Sequence, residues 1–514
     1  MVSTKFLKKL LKLGVQLSAE AMKILDSIGN PEDVIESIIK ETPDKAIISA
    51  EDLSRYLKKQ EEIDSKLVSS EDLNSKTKEK QAISLHLEKQ RTNQLASVRQ
   101  EKYVKDIEIL FSPTVTDTQT NEEGFRQYFI SRYKKIQQIF LKRKDLSNLQ
   151  TCNNLGSNQT MNNISLIAIV FSKQTTKKGS VILDLEDPTG IVKAIIPSNN
   201  RKLVQKASYI LNDSVLCFNG TWQKGVLYVH DIQWPDIPFN HKPHHSYEDV
   251  FGLFISDLHV GSKEFSSKLL NRAIKFLNGE LTLDKYNSIG KQVKYLFIAG
   301  DLVDGVGVYP DQIKDLILDN IQFQYLLLTE HIEKIRSDVE IIIIPGNHDS
   351  ARAAEPQTPI PKEFVEGLDK LDNVHLLGSP SYLKVHDVEI LMNHGNSIFD
   401  ISAAITPIPH ESTTLPMIEM LRNRHLVPIY GRKTPIAPSS EDYLVIDRIP
   451  DIFHVGHTHI AEDGEYKGVT LISSGSFQYQ TNYQKRMNIT PNPGVGYIIN
   501  FHSLVRSRVD FSSM

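Results

Sequence analysis

The stretch Val339-Glu-Ile-Ile-Ile-Ile-Pro-Gly-Asn-His-Asp349 decides the fold. A short β-branched run without alternation reads as a strand covered on both faces, as in a parallel sheet packed between layers. Pro345 and Gly346 stop it, and Asn347-His348-Asp349 comes where the chain leaves the sheet. The same arrangement recurs along the chain. Phe251-Gly-Leu-Phe-Ile255 precedes Asp257-Leu-His259, and Val293-Lys-Tyr-Leu-Phe-Ile-Ala299 precedes Gly300-Asp-Leu-Val-Asp304. Val388-Glu-Ile-Leu-Met392 precedes Asn393-His-Gly395, Ile452-Phe-His-Val455 precedes Gly456-His-Thr-His459, and Ser473-Ser-Gly475 closes the series. Polar residues just past strand ends are where the loops of an α/β core gather a site. A helical pattern from about Gln312 to Arg336 supplies the crossover that parallel strands require.

The candidate donors are carboxylate, amide oxygen and imidazole, with no thiolate. Such a set suits Mn²⁺, Fe or Zn²⁺ rather than a soft metal. Taken singly each motif has a plain reading: Asp-x-His is common, and Gly-Asn-His-Asp or Gly-His-Thr-His could be turns. His454 lies mid-strand and reads as a packed or supporting histidine. The ordered recurrence after successive strands is what points to a metal centre.

Motif by motif, residues 250 to 480 resemble the calcineurin-like metallophosphoesterase superfamily. The resemblance implies a two-sheet β-sandwich flanked by helices and a pair of divalent ions. It implies Asp257, His259 and His459 on one ion, Asn347, His394 and His457 on the second, and Asp301 bridging them. His348 matches the non-ligand histidine of the family, expected to stabilise the transition state or protonate the leaving oxygen. Asp304 and Asp349 are expected to orient ligands or loops, since a ligating histidine usually donates its other N–H to a carboxylate or carbonyl.

The flanking sequence narrows the resemblance. Pro345–Gln357, Met420-Leu-Arg-Asn-Arg-His-Leu-Val-Pro-Ile-Tyr-Gly-Arg432, Pro435–Asp447 and Ser474-Gly-Ser-Phe-Gln-Tyr-Gln-Thr-Asn-Tyr-Gln-Lys485 are similar to the small, exonuclease subunit of the archaeal family D DNA polymerase. That similarity implies 3′→5′ proofreading at a DNA primer 3′ end, a large catalytic polymerase subunit as partner, and Mn²⁺ as the usual ion.

Four segments are expected. Residues 1–60 show helical periodicity (Phe6-Leu7-Leu10-Leu11, Ala21-Ile24-Leu25-Ile28) and read as an interaction module. Residues 61–121 are charged and poor in large apolar groups, and read as a tether. Residues 122–240 open with an amphipathic helix over Phe125–Phe140. It is expected to pack onto a run of five short strands with a helix after the third, the order of an OB-fold. Trp222, Tyr228, Lys173, Lys177 and Lys178 could serve single-stranded DNA there, or the barrel could mainly contact protein. Residues 241–514 form the catalytic domain, in which Thr406–Pro438, with Arg422, Arg424, His425, Tyr430 and Arg432, could hold a DNA end, contact the large subunit or simply form an ordered lid.

Composition sets outer limits. The 514 residues carry a net charge of −4, with a pI of about 6.5, so any grip on DNA must be local or borrowed. Two cysteines, Cys152 and Cys217, give no disulfide framework and fit a reducing cytoplasm. No apolar run suggests a membrane span. No sliding-clamp peptide stands out in Val505–Met514, which leaves clamp contact open. Two other functions share the motifs: a non-catalytic polymerase scaffold, as in related eukaryotic B-subunits that have lost ligands, and a stand-alone phosphodiesterase. Every ligand position is filled here, against the first. The extra modules stand against the second.

Overall fold

The computed structural model describes residues 106–514 except 115–117, 119, 144–145, 283 and 410, together with isolated positions before them (16–17, 34–35, 38, 47–48 and 53). The chain forms two units, Met1–Lys105 and Asp106–Met514. In the first, Gln16–Leu17 pairs in parallel with Ile47–Ile48, and Ile35, Ile38 and Leu53 are helical and buried. The rest of the expected helical module, and the expected tether as far as residue 105, lie outside the described residues.

In the second unit the five runs that precede the motifs are strands: Phe251–Ile255, Val293–Ala299, Glu340–Ile344, Val388–Met392 and Ile452–Val455. They divide between two six-stranded sheets. The first runs in the order 374–376, 340–344, 293–299, 251–255, 495–500, 506–510, and its first four strands are parallel. The second runs 462–466, 469–473, 452–455, 388–392, 381–385, 107–111.

Alternation along each strand assigns its two faces. In the first sheet Leu253, Ile255, Leu296, Ile298, Ile341 and Ile343 share a core with helices Ser267–Asn278 and Ile321–Ile332. Phe254 and Phe297 point the other way and stack at 4.5 Å, and the edge of Phe254 meets His454 of the second sheet at 5.2 Å. On the far face of that sheet, Leu391, Phe453, Val455 and Leu471 pack with Met417, Met420 and Leu421 of helix Thr414–Asn423. The result is a helix–sheet–sheet–helix sandwich.

Two local expectations are corrected. The crossover helix does not begin near Gln312: Gln312–Asp315 is a 3₁₀ turn, and the α-helix starts at Ile321, where the Asn320 side chain accepts from Phe323 N–H as N-cap. Ile107–Phe111, inside the stretch read as tether, is an edge strand paired antiparallel with Ser381–Val385. Five residues carry too weak a pattern to stand out beside a long charged segment. Sheet pairing, not propensity, orders them.

Strands Met161–Thr175, Val181–Asp187, Gly190–Ile196, Val226–Gln233 and Val215–Gln223 form a separate sheet that closes when the last pairs back onto Met161–Thr175, and a sixth, two-residue strand, Leu149–Gln150, pairs in parallel with Met161–Thr175. Helix Arg201–Ala207 comes after the third strand in sequence. Trp222 is buried in the barrel core and donates to Gly156 O, while Lys173 Nζ donates to Ile210 O at 2.6 Å. Neither is available to DNA as the sequence suggested, because both are consumed by the barrel's own packing.

Helix Glu122–Leu141 lies between barrel and sandwich. Tyr133, Ile136 and Phe140 pack on Ile167, Ile169, Val215 and Cys217 of the barrel, and Tyr128 joins the sandwich core. Arg132, buried beside it, binds Asp442 at 2.9 Å and donates to the carbonyls of Asp213 and Pro428. This guanidinium ties barrel, helix and the segment after residue 406 together.

Candidate metal centre

All eight candidate residues lie in loops at the strand ends. The close approach of those loops explains their glycines. A Cβ at Gly346 would collide with the Asp301 carboxylate, and one at Gly456 would lie 2.5 Å from Asp257 Oδ2. Five of the candidates adopt a left-handed backbone: Asp257 (φ 54°), His259 (50°), Asp301 (51°), His457 (69°) and His459 (60°). Such conformations are unfavourable for residues with a Cβ and gather at functional sites, held by the surrounding structure.

The side chains fall into two groups. In the first, His259 Nε2 and His459 Nε2 are 3.0 Å apart, and Asp257 Oδ1 lies 3.4 Å from His459 Nε2. In the second, Asn347 Oδ1 lies 2.9 Å from His457 Nδ1 and 3.2 Å from His394 Nε2. Asp301 Oδ2 stands between them, 3.6 Å from His259 Nε2 and 3.3 Å from His394 Nε2. The groups Asp257–His259–His459 and Asp301–His394–His457 each bring one potential ligand atom per residue within 4.8 Å of the others.

The tautomers favour cation binding. His394 Nδ1–H donates to Ala299 O at 2.8 Å, which leaves Nε2 as a lone pair aimed at oxygens of Asp301 and Asn347. Converging lone pairs in a dry site repel unless a proton or a cation lies among them. Burial opposes charge on His394, yet Asp301 and Asp257 raise its pKa to about 10. Burial and the neighbouring His394 push His457 down to about 3. Asp301 is held well below the usual carboxylate range; burial works against this, but His394 and His348 outweigh it.

A surrounding layer fixes these orientations. Asp304 Oδ1 accepts from His259 Nδ1 and from Gln478 Nε2, both at 2.9 Å, and Gln312 Nε2 donates to Asp304 O at 2.7 Å. Asp349 does not reach either group; it accepts from Leu302 N–H, Gly346 N–H and Tyr325 O–H, so it clips the second loop to the third. His454, pushed down to about 3 by burial and therefore neutral, bonds through Nε2 to Ser474 Oγ at 3.0 Å. Ser474 donates to Ser256, which donates to Asp257. Sequence reading missed Ser256, Gln312, Gln478 and Gln484, the last 2.8 Å from His459 Nδ1. The glutamine-rich run after Ser474 was the available signal.

His348 belongs to neither ligand set as arranged. Its backbone N–H donates to Asp301 Oδ1 at 2.8 Å and its Nδ1 to Asp304 O at 2.7 Å, leaving Nε2 for an incoming molecule. Burial disfavours its charge, but Asp301 and Asp304 more than offset this and the net shift is upward.

Residues 253–462, which contain most of these loops, match the family of B subunits of DNA polymerases alpha and epsilon. The DNA polymerase II small subunit of Methanothermobacter thermautotrophicus is 38% identical over 73% of this chain and 76% of its own length. This chain belongs to that family, the small subunits of the archaeal family D DNA polymerase. The Pyrococcus furiosus small subunit is 36% identical over 76% of this chain, a match that spans 64% of that protein. A solved archaeal phosphodiesterase aligns with 51% of this chain at 15% identity and a TM-score of 0.26. Among the described residues, no helix is long and apolar enough to cross a membrane.

Several residues that the sequence offered to a DNA end turn inward. Arg424 is buried against Ile446 O and Asp447 O, His425 bonds Asp442, and the Arg422 guanidinium lies 3.9 Å over the Trp234 ring. These three side chains hold the 406–446 segment in place and are not free for a DNA end. Arg432 and Tyr430 remain exposed.

Proposed function

We propose that this small subunit is a metal-dependent 3′→5′ exonuclease that proofreads DNA in complex with the large polymerase subunit. The observation that carries the reading is the pair of ligand groups joined by Asp301, with His348 beside them and its Nδ1 already committed. Asp257, His259 and His459 would hold one divalent ion, Asn347, His394 and His457 the other, and Asp301 both. Mn²⁺ is the proposed ion; Fe and Zn²⁺ suit the same donors. When bound, such a pair supplies a nucleophilic water at neutral pH and neutralises charge on the phosphorus oxygens. The role of His348 is to hold a proton at Nε2 and deliver it to the departing 3′ oxygen as the terminal mononucleotide leaves.

The domain reading is part of the same proposal. Residues 1–60 would contact protein, and 122–240 would carry the bridging helix with an OB-type barrel. Residues 241–514, completed by Ile107–Phe111, would carry the nuclease, working in the cytoplasm.

The test is degradation of a labelled single-stranded oligonucleotide by the full chain with Mn²⁺. Stepwise loss from the 3′ end, abolished by chelation, is expected. No degradation, even with the large subunit added, would leave a scaffold. A second measurement probes the supporting layer. Gln478→Ala removes a donor from Asp304, which orients His259, and should weaken Mn²⁺ binding about 10–100-fold without unfolding the chain. Calorimetric titration with Mn²⁺ would show it, and unchanged affinity would remove Gln478 from this role.

A further inference from the structure

Beside His348 lies a surface that metal binding does not use. Tyr309 meets the His348 ring edge-on at 6.4 Å and stacks with Tyr483 at 6.3 Å and 25°. The two tyrosines come from segments far apart in sequence, one in the loop after the Asp304 motif and one in the short helix after Ser474. Both lie next to residues that fix the site. Tyr309 O–H donates to Asp315 Oδ2 at 3.2 Å. Tyr483 precedes Gln484, which bonds His459 Nδ1 at 2.8 Å. Tyr483 is nevertheless 53% exposed, an aromatic face turned to solvent at the rim of the centre. Lys485 and Arg486 come next on the same short helix, both exposed. An exposed aromatic with cations next to it, within reach of a phosphoester-cleaving site, suits a base with its attached phosphate.

We propose that the Tyr309–Tyr483 pair is a stacking subsite for an unpaired base at the 3′ end of the DNA, with Lys485 and Arg486 serving the adjoining phosphates. It rests on the nuclease reading above and adds a source of selectivity. A base in a duplex is already stacked and paired, so only a frayed or mismatched end offers its face without the cost of opening. Stacking tolerates any base, as correction of arbitrary errors requires.

The experiment uses the full chain with Mn²⁺ and compares wild type, Tyr483→Ala and Tyr483→Phe on two substrates. One is a single-stranded oligonucleotide; the other is the same oligonucleotide ending in an abasic 3′ nucleotide, a phosphodiester without a base. Tyr483→Ala is expected to raise KM for the oligonucleotide about tenfold, Tyr483→Phe to restore it, and both to hydrolyse the base-free diester at the wild-type rate. An oligonucleotide KM unchanged in Tyr483→Ala overturns the subsite. So does an equal loss on both substrates, which would place Tyr483 in support of the metal loops. If wild type with Mn²⁺ cleaves neither oligonucleotide, the nuclease reading itself fails.

Discussion

His348→Ala should lower the rate of DNA degradation by about 10²–10⁴-fold, the range for loss of a positioned proton donor, while the bound Mn²⁺ stays the same. The two effects separate because of how His348 is built into the site. Its link to the Asp301 carboxylate is a backbone N–H to Oδ1, which alanine preserves. Its side chain hydrogen-bonds the Asp304 carbonyl through Nδ1, and that carbonyl also accepts from Gln312 Nε2. Single-turnover rates at saturating Mn²⁺, beside elemental analysis of the purified variant, would measure both. Loss of metal together with activity would make His348 a ligand, and retention of activity would remove it from the chemistry.

The largest effect on stability is expected at Arg132. Arg132→Ala leaves the Asp442 carboxylate in a fully buried place, with 1% and 0% side-chain exposure for the two partners. Breaking a buried pair from one side typically costs about 3–5 kcal/mol, because the surviving charge loses its partner. His425 also contacts Asp442, at 2.8 Å, and softens the loss. The cost should depend on pH in a definite direction. Burial opposes the charge on Asp442, but His425 and Arg132 hold its pKa well below the usual range. A carboxylate depressed in the folded state contributes stability above its unfolded pKa of about 3.9 and loses it as pH falls through the folded value. The gap between wild type and variant should therefore be widest near neutrality and narrow below about pH 4. Denaturant melts at the two pH values would show this, and a gap that widened in acid would contradict the assignment.

The two predictions differ in how far the sequence could have led to them. His348 comes directly after Asn347 in a motif behind an obvious strand, and the resemblance of that motif to a known family is what singled it out. The Arg132–Asp442 pair was not: 310 residues separate the partners, and Arg132 looked like one cation on an amphipathic helix. The same holds for Arg422, Arg424 and His425, which look like a basic patch in sequence but turn their polar groups to carbonyls, a carboxylate and an indole ring. Lys173 and Trp222, offered to DNA as one of two readings, turn inward for the same reason. A polar side chain's partners are set by what folds against it, and one-dimensional spacing holds no record of that.

What the sequence determined by itself is the five strands that precede the motifs and the polar residues behind them. Unbroken apolar runs can only be buried, and glycine, aspartate, asparagine and histidine at their ends fit loops pressed into left-handed backbone. What only the tertiary structure decided is convergence: that Asp301 lies between His259 and His394, that Ile107–Phe111 joins the second sheet, and that Tyr309 and Tyr483 meet beside His348. Local patterning is a property of neighbours along the chain, whereas these contacts arise from packing two sheets face to face, which brings distant strand ends to one edge.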